Sequence, residues 1–243
     1  MLIINSIELT NHCNLKCSHC ENAKSTYPKG YMSKEVFTKC LDYTGTFVNL
    51  HVHGESLLHP NILEFLLIAK LKGKKVVLNT NGLLLIRRNL FEDVINNVYQ
   101  LEISLHTLDS VRIFKKALDH IKDNKLDTIL VANILDYYKS EFDNWVKEVD
   151  LSKEDISKIR WFNTHKWGKD VESDRVEEKQ KKCYFIAHNE CVVKWDGRVS
   201  ACCFDFDGYN MIGHIDCFRQ LIHSPSAYKL CQTCSPCWVN LDT

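Results

Sequence analysis

Residues 10–20 read Thr10-Asn11-His12-Cys13-Asn14-Leu15-Lys16-Cys17-Ser18-His19-Cys20, a C-x3-C-x2-C run directly behind a short apolar stretch, residues 3–9. Three thiolates at that spacing can hold three corners of a cubane 4Fe-4S cluster from one tight loop, leaving the fourth iron without a protein ligand. An open metal position is a reactive one, by the logic that separates catalytic from structural zinc. A structural zinc site usually closes with four ligands, often as two C-x2-C pairs. A lone run of three, with Leu15 inside it and His19 just before the last thiol, fits that poorly. The run points to an enzyme.

Composition narrows the setting. At 243 residues the chain can form one large α/β unit with an appendage. Its 31 basic and 31 acidic residues cancel, so no broad basic field argues for nucleic acid. No apolar run approaches twenty residues and no charged-then-apolar signal precedes Cys13, so neither a membrane span nor secretion is expected. In a reducing cytoplasm the twelve cysteines read first as metal ligands.

Periodicity predicts strands at 6–10, 47–53, 75–79, 101–106, 128–134 and 158–162. Helices are expected at 34–43 with Ser33 as N-cap, 61–71, 87–97, 110–122 with Asp109 as N-cap, and 140–149. Six strands alternating with helices call for parallel pairing through right-handed crossovers, an α/β fold spanning residues 1–163. Periodicity alone allows a barrel or a doubly wound sheet, and in both the chemistry sits where strands end. The cysteine run follows the first strand, His53-Gly54-Glu55 end the second and Thr80-Asn81-Gly82 end the third. Residues 164–182 are polar and weakly periodic and read as a linker. Residues 183–243 are cysteine-rich, with a hairpin signal at Asp196-Gly197. Cys40, among Val36, Phe37 and Leu41, reads as core.

The cysteine run resembles the signature of the radical S-adenosylmethionine (radical SAM) superfamily, in which the methionyl amine and carboxylate of the cofactor chelate the open iron. The resemblance implies a partial (β/α)6 TIM-like barrel and further roles. Gly54-Glu55 looks like the family's glycine-glycine-glutamate motif, which receives the cofactor's methionyl ammonium, with His53 in place of the first glycine. Ser104 and His106 stand on the fourth strand, where relatives present polar groups to the ribose and carboxylate. Asn133 is a candidate for the ribose hydroxyls. His19 stands where an aromatic packs near adenine, and equally could be a donor to cluster sulfur.

The tail resembles the shortened SPASM, or twitch, domain. Cys183, Gly197 and Cys202 follow its C-x13-G-x4-C spacing, and Cys231, Cys234 and Cys237 form C-x2-C-x2-C. One auxiliary 4Fe-4S cluster on Cys183, Cys202, Cys231 and Cys234 is implied, with Cys203 and Cys237 as alternatives. A zinc ribbon is the other reading of the tail.

The implied reaction is reductive cleavage of S-adenosylmethionine to a 5′-deoxyadenosyl radical that takes hydrogen from a substrate carbon. An auxiliary cluster able to accept a second electron suits dehydrogenation of a small polar or sugar-like metabolite, as in the radical SAM dehydrogenases of aminoglycoside biosynthesis. A flavodoxin or ferredoxin would supply electrons. Peptide modification by crosslink, thioether or epimerisation is the main rival, lowered by the arrival of the first cysteine at position 13. A carbohydrate epimerase using Cys191 or Cys217 as hydrogen donor is a third reading, and a non-catalytic iron-sulfur or zinc carrier a fourth. Among substrate contacts, Arg160 near the end of the sixth strand could bind a carboxylate or phosphate, with His165 and Trp167 nearby.

Overall fold

Short runs rich in valine, isoleucine and leucine become strands in the structure, a computed structural model that describes residues 2–162, 185 and 188–222. The strands are β1 (Ile3–Ile7), β2 (Thr44–Leu50), β3 (Lys75–Thr80), β4 (Gln100–Ser104), β5 (Ile129–Leu135), β6 (Ile159–Phe162), β7 (Glu190–Val193), β8 (Arg198–Ser200) and β9 (Met211–His214). Between them run α1 (Lys34–Leu41), α2 (Ile62–Leu71), α3 (Leu83–Arg87), α4 (Phe91–Ile95), α5 (Leu108–Asp123), α6 (Lys139–Val149) and α7 (Lys153–Ser157). Two compact units result, one from residues 1–45, 52–54 and 165–243, the other from 46–51 and 55–164.

In the second unit all strands pair in parallel, in the order β6-β5-β4-β3-β2. Parallel neighbours need long crossovers, which the intervening helices provide. Leu78, Leu101 and Ile103 are wholly buried, as are Phe65 of α2 and Phe114 of α5. Each such side chain contributes about 1.5–3 kcal/mol relative to exposure. Along β4 the pattern alternates, with Leu101 and Ile103 buried while Gln100, Glu102 and Ser104 stay half-buried. One face of this sheet is therefore apolar and the other carries polar side chains. The arrangement is an α/β fold with parallel strands, consistent with an open partial barrel.

In the first unit β1 pairs in parallel with β7, and β7, β8 and β9 follow as an antiparallel meander. The Asp196-Gly197 hairpin forms as expected. Gly197 takes φ +87, a left-handed conformation that glycine enters without strain.

Several boundaries differ from the sequence expectation. β1 covers residues 3–7 rather than 6–10, because Thr10 bridges Tyr31 as the chain turns into the cysteine loop. β2 stops at Leu50, three residues before His53. The helix expected at 87–97 is α4 alone, residues 91–95, and α3 at 83–87 was not expected; Asn89, at φ +53, separates the two. Thr107, not Asp109, caps α5. Its hydroxyl accepts from Ser110 N at 3.2 Å and the Ser110 hydroxyl accepts from Thr107 N at 3.1 Å, a reciprocal box that starts the helix earlier. Ser33 caps α1 as read, accepting from Val36 N at 3.2 Å. Cys40 is fully buried, as expected.

Candidate active site

The loop that leaves β1 folds back on itself, with Cys20 N donating to the Cys17 carbonyl at 3.1 Å and Leu15 N to Cys13 Sγ at 3.4 Å. Cys13 is exposed, Cys17 and Cys20 half-buried, and none is in a disulfide. Burial pushes the Cys17 thiol up, and the nearby Cys20 charge adds to that. A metal cation shared by these sulfurs would remove both penalties, since coordination stabilises thiolate outright.

Three polar side chains back the loop. Asn11 Nδ2 donates to the Pro28 carbonyl at 2.9 Å, and its Oδ1 accepts from Gly30 N at 3.1 Å. Asn22 Nδ2 donates to the Asn11 carbonyl at 3.0 Å. Lys29 Nζ donates to the Asn11 carbonyl, the Asn22 carbonyl and Asn22 Oδ1 at 3.1, 3.0 and 2.7 Å.

Gly54 has φ +76, and a Cβ there would lie 2.5 Å from the His12 carbonyl oxygen and 2.6 Å from that of Thr10. Only glycine fits this approach to the backbone entering the cysteine loop. The preceding residue, His53, belongs to a buried charge cluster. Its Nδ1 lies 2.8 Å from Lys194 Nζ and 3.0 Å from Glu8 Oε2, and Nε2 donates to the Cys203 carbonyl at 2.7 Å. The ring stacks on Phe206 with centroids 4.0 Å apart. Lys194 Nζ also donates to the Asp205 carbonyl at 2.7 Å.

In the second unit Glu55 is 2% exposed. Its Oε1 accepts from Thr80 Oγ1 at 2.8 Å and Leu57 N at 3.1 Å, and Oε2 accepts from Asn81 N at 2.8 Å. Burial raises the Glu55 carboxyl above its ordinary range, and these three donors offset only part of that. Of about four lone-pair directions, one on Oε2 is left for a further donor.

The polar face of β3 to β6 gathers Asn79, Glu102, Ser104, Asn133 and Arg160. Register places Ser104 beside Asn133 and Asn133 beside Arg160. Asn133 Nδ2 donates to Glu102 Oε2 at 2.8 Å, and Arg160 Nη1 lies 3.8 Å from Glu102 Oε1. Asn133 Oδ1 is buried and meets no donor among the described residues. Glu102 was missed from sequence, although its place between buried Leu101 and Ile103 marks the polar face.

His106 is not on the strand as expected. β4 ends at Ser104, and His106 N donates to the Ser110 hydroxyl at 3.1 Å, which holds it in the turn before α5. Its ring meets Tyr138 edge-on at 5.7 Å. Burial lowers the His19 imidazole, favouring its neutral form. In the tail, Cys202 is 8% exposed and Cys203 half-buried. Cys183, Cys231, Cys234, Cys237, His165 and Trp167 lie outside the described residues. Cys191 is fully buried and its thiol, pushed well up by burial, donates to the Ile3 carbonyl at 3.5 Å, which weighs against a role as hydrogen donor.

A profile described as "Radical SAM superfamily" matches residues 7–149, more than half of the chain. The chain belongs to the radical SAM superfamily. Membership implies a 4Fe-4S cluster and S-adenosylmethionine, and the donor set of this radical SAM protein fits them: reduced soft thiols on one loop, a glycine packed against that loop's entry, and the orphaned acceptor of Asn133. Among relatives, the antilisterial bacteriocin subtilosin biosynthesis protein AlbA of Bacillus subtilis is 39% identical over 88 residues, covering 35% of this chain and 20% of AlbA. The chain thus spans about a fifth of that relative. The crystal structure of BtrN with AdoMet and 2-DOIA superposes with TM-score 0.60 at 17% identity, over 93% of this chain and 84% of BtrN. Native anSMEcpe with AdoMet and the Cp18Cys peptide gives TM-score 0.62 at 15% identity, over 98% and 86%. At these identities the likeness is one of fold. No helix among the described residues is long and apolar enough to cross a membrane.

Proposed function

We propose that Cys13, Cys17 and Cys20 ligate a 4Fe-4S cluster and that the chain is an oxidoreductase dehydrogenating a small polar or sugar-like metabolite, in the manner of 2-deoxy-scyllo-inosamine dehydrogenase. With cluster and S-adenosylmethionine bound, the chemistry supplied is a 5′-deoxyadenosyl radical able to take hydrogen from an unactivated carbon. Glu55 holds the methionyl ammonium through its remaining lone pair, a charge-assisted bond. Gly54 sets the backbone beside it, Asn133 Oδ1 accepts from a ribose hydroxyl, and Ser104, His106 and His19 contribute the rest of the nucleoside contacts. Arg160 orients an anionic or hydroxylated substrate. Residues 1–163 act as the barrel, 164–182 as linker and 183–243 as a twitch domain with an auxiliary 4Fe-4S cluster on Cys183, Cys202, Cys231 and Cys234, or with Cys203 or Cys237. A flavodoxin or ferredoxin in the cytoplasm is the electron donor.

The observation that carries this reading is the three-thiol loop with Gly54 packed against its entry. The reading of peptide modification draws on AlbA and on the peptide-bound anSMEcpe. Anaerobically reconstituted protein with dithionite and S-adenosylmethionine is expected to form 5′-deoxyadenosine. Replacing Cys13, Cys17 and Cys20 together by alanine is expected to abolish this and cut iron from about eight to about four per chain. No 5′-deoxyadenosine from the parent sinks the proposal. Deuterium carried into 5′-deoxyadenosine from a labelled aminocyclitol but not from a labelled peptide separates the two substrate classes.

A further inference from the structure

We infer that Lys29 is a positioning residue for the thiolate loop, an ammonium that clasps the loop's two ends and sets a fixed positive charge beside it, raising the reduction potential of the cluster held there. The inference rests on the reading that Cys13, Cys17 and Cys20 carry the cluster.

Its geometry is that of a clasp. Asn11 precedes Cys13 by two positions and Asn22 follows Cys20 by two, and Lys29 Nζ donates to the main-chain carbonyls of both. The third donor goes to Asn22 Oδ1, and the amide of the same Asn22, 5% exposed, returns to the Asn11 carbonyl. A lysine ammonium has three hydrogens and no lone pair, so all its bonding capacity is spent at the mouth of the loop. A surface lysine ordinarily leaves its ammonium in water. This one is held.

The strap that carries it is fixed on both sides. Tyr27 is 4% exposed and its hydroxyl bonds the Asp196 carboxylate at 3.0 Å. Trp195 Nε1 donates to the Pro28 carbonyl at 2.9 Å, and Gly30 lies so close to the Trp195 ring that no Cβ fits. The exposed lysine therefore starts from a backbone tied down on both sides and ends on three bonded acceptors. Burial lowers the Lys29 ammonium from its ordinary value, and Glu8, then Cys20 and Cys13, pull it back up, so the thiols of the loop lie within its field. Three thiolates on an iron-sulfur core gain negative charge on reduction, and a fixed cation nearby favours the reduced form.

The test compares parent, Lys29→Met and Lys29→Arg, each reconstituted anaerobically, by iron per chain and by a redox titration followed by electron paramagnetic resonance. The signal read is the one absent from the combined Cys13→Ala, Cys17→Ala, Cys20→Ala variant. Lys29→Met is expected to shift the midpoint to more negative potential and to lose iron to a chelator several-fold faster, and Lys29→Arg to return the midpoint toward the parent's. If Lys29→Met does not take up iron, Lys29→Gln, which keeps amide hydrogens for the two carbonyls and drops the charge, is read instead. A midpoint equal to the parent's in the uncharged variant overturns the inference. A parent without the Cys13/Cys17/Cys20 signal overturns the cluster reading itself.

Discussion

His53 Nδ1 lies 2.8 Å from Lys194 Nζ in surroundings that exclude solvent, Lys194 being 0% and His53 7% exposed. Because Nε2 faces the Cys203 carbonyl, it carries hydrogen. Nδ1 then stands between an ammonium and the Glu8 carboxylate, 3.0 Å away. His53 thus ties the residue before Gly54 to the 202–206 loop through its bond to Cys203 and its stack on Phe206.

Removing the cation exposes the cost of that link. Lys194→Met leaves the Glu8 carboxylate buried without its ammonium, and a loss of about 3–5 kcal/mol in urea unfolding is expected. Adding Glu8→Gln to the same chain recovers part of it, since the two changes are coupled.

The two buried carboxyls respond oppositely to pH. Burial alone would raise Glu8, but His53 and then Lys194 hold it below its ordinary value of 4.5. Its stabilisation is present above that value and is lost as pH falls through the depressed one. Glu55 is raised by burial, so the folded chain binds its proton more tightly than the unfolded chain and stability falls as pH rises through the window above 4.5. Thermal melts of iron-free protein from pH 4 to 8 are expected to lose the Glu55 decline in Glu55→Gln. The slope is the readout, because any mismatch of the new amide with Asn81 N is independent of pH.

Gly54→Ala places a Cβ at φ +76 against two carbonyl oxygens. The left-handed conformation alone costs roughly 1–2 kcal/mol, and the clash adds to it. Lower unfolding stability together with reduced iron per chain is expected. An alanine variant with parental iron content contradicts the close packing of Gly54 on the loop entry.

Asn133→Ala removes one acceptor and one donor from the polar face without touching a cysteine. The KM for S-adenosylmethionine is expected to rise about tenfold, equivalent to ~1.4 kcal/mol, with iron content unchanged. Arg160→Ala is expected to raise the KM of the organic substrate and leave that of the cofactor alone.

Local chemistry was legible where spacing alone carries it. The thiol run, the Ser33 cap and the Asp196-Gly197 hairpin depend on neighbours a few residues apart. The start of α5 was misplaced because Asp109 is as good a cap by type as Thr107, and only the reciprocal bond with Ser110 selects between them. Helix α3 was missed because four successive apolar residues, Leu83 to Ile86, carry no helical periodicity, and Asn89 at φ +53 parts it from α4.

The sequence by itself determined the family, the alternation of parallel strands and helices and the three-thiol loop, because these are written in residue type and short-range spacing. Tertiary structure alone decided that Glu102 meets Asn133, that His53 meets Lys194 and Glu8, and that Lys29 closes the loop. These partners lie up to 186 positions apart, as Glu8 and Lys194 do. What joins them is burial: a charge or polar group withdrawn from water must find its complement in space, and the one-dimensional order of the chain does not say which.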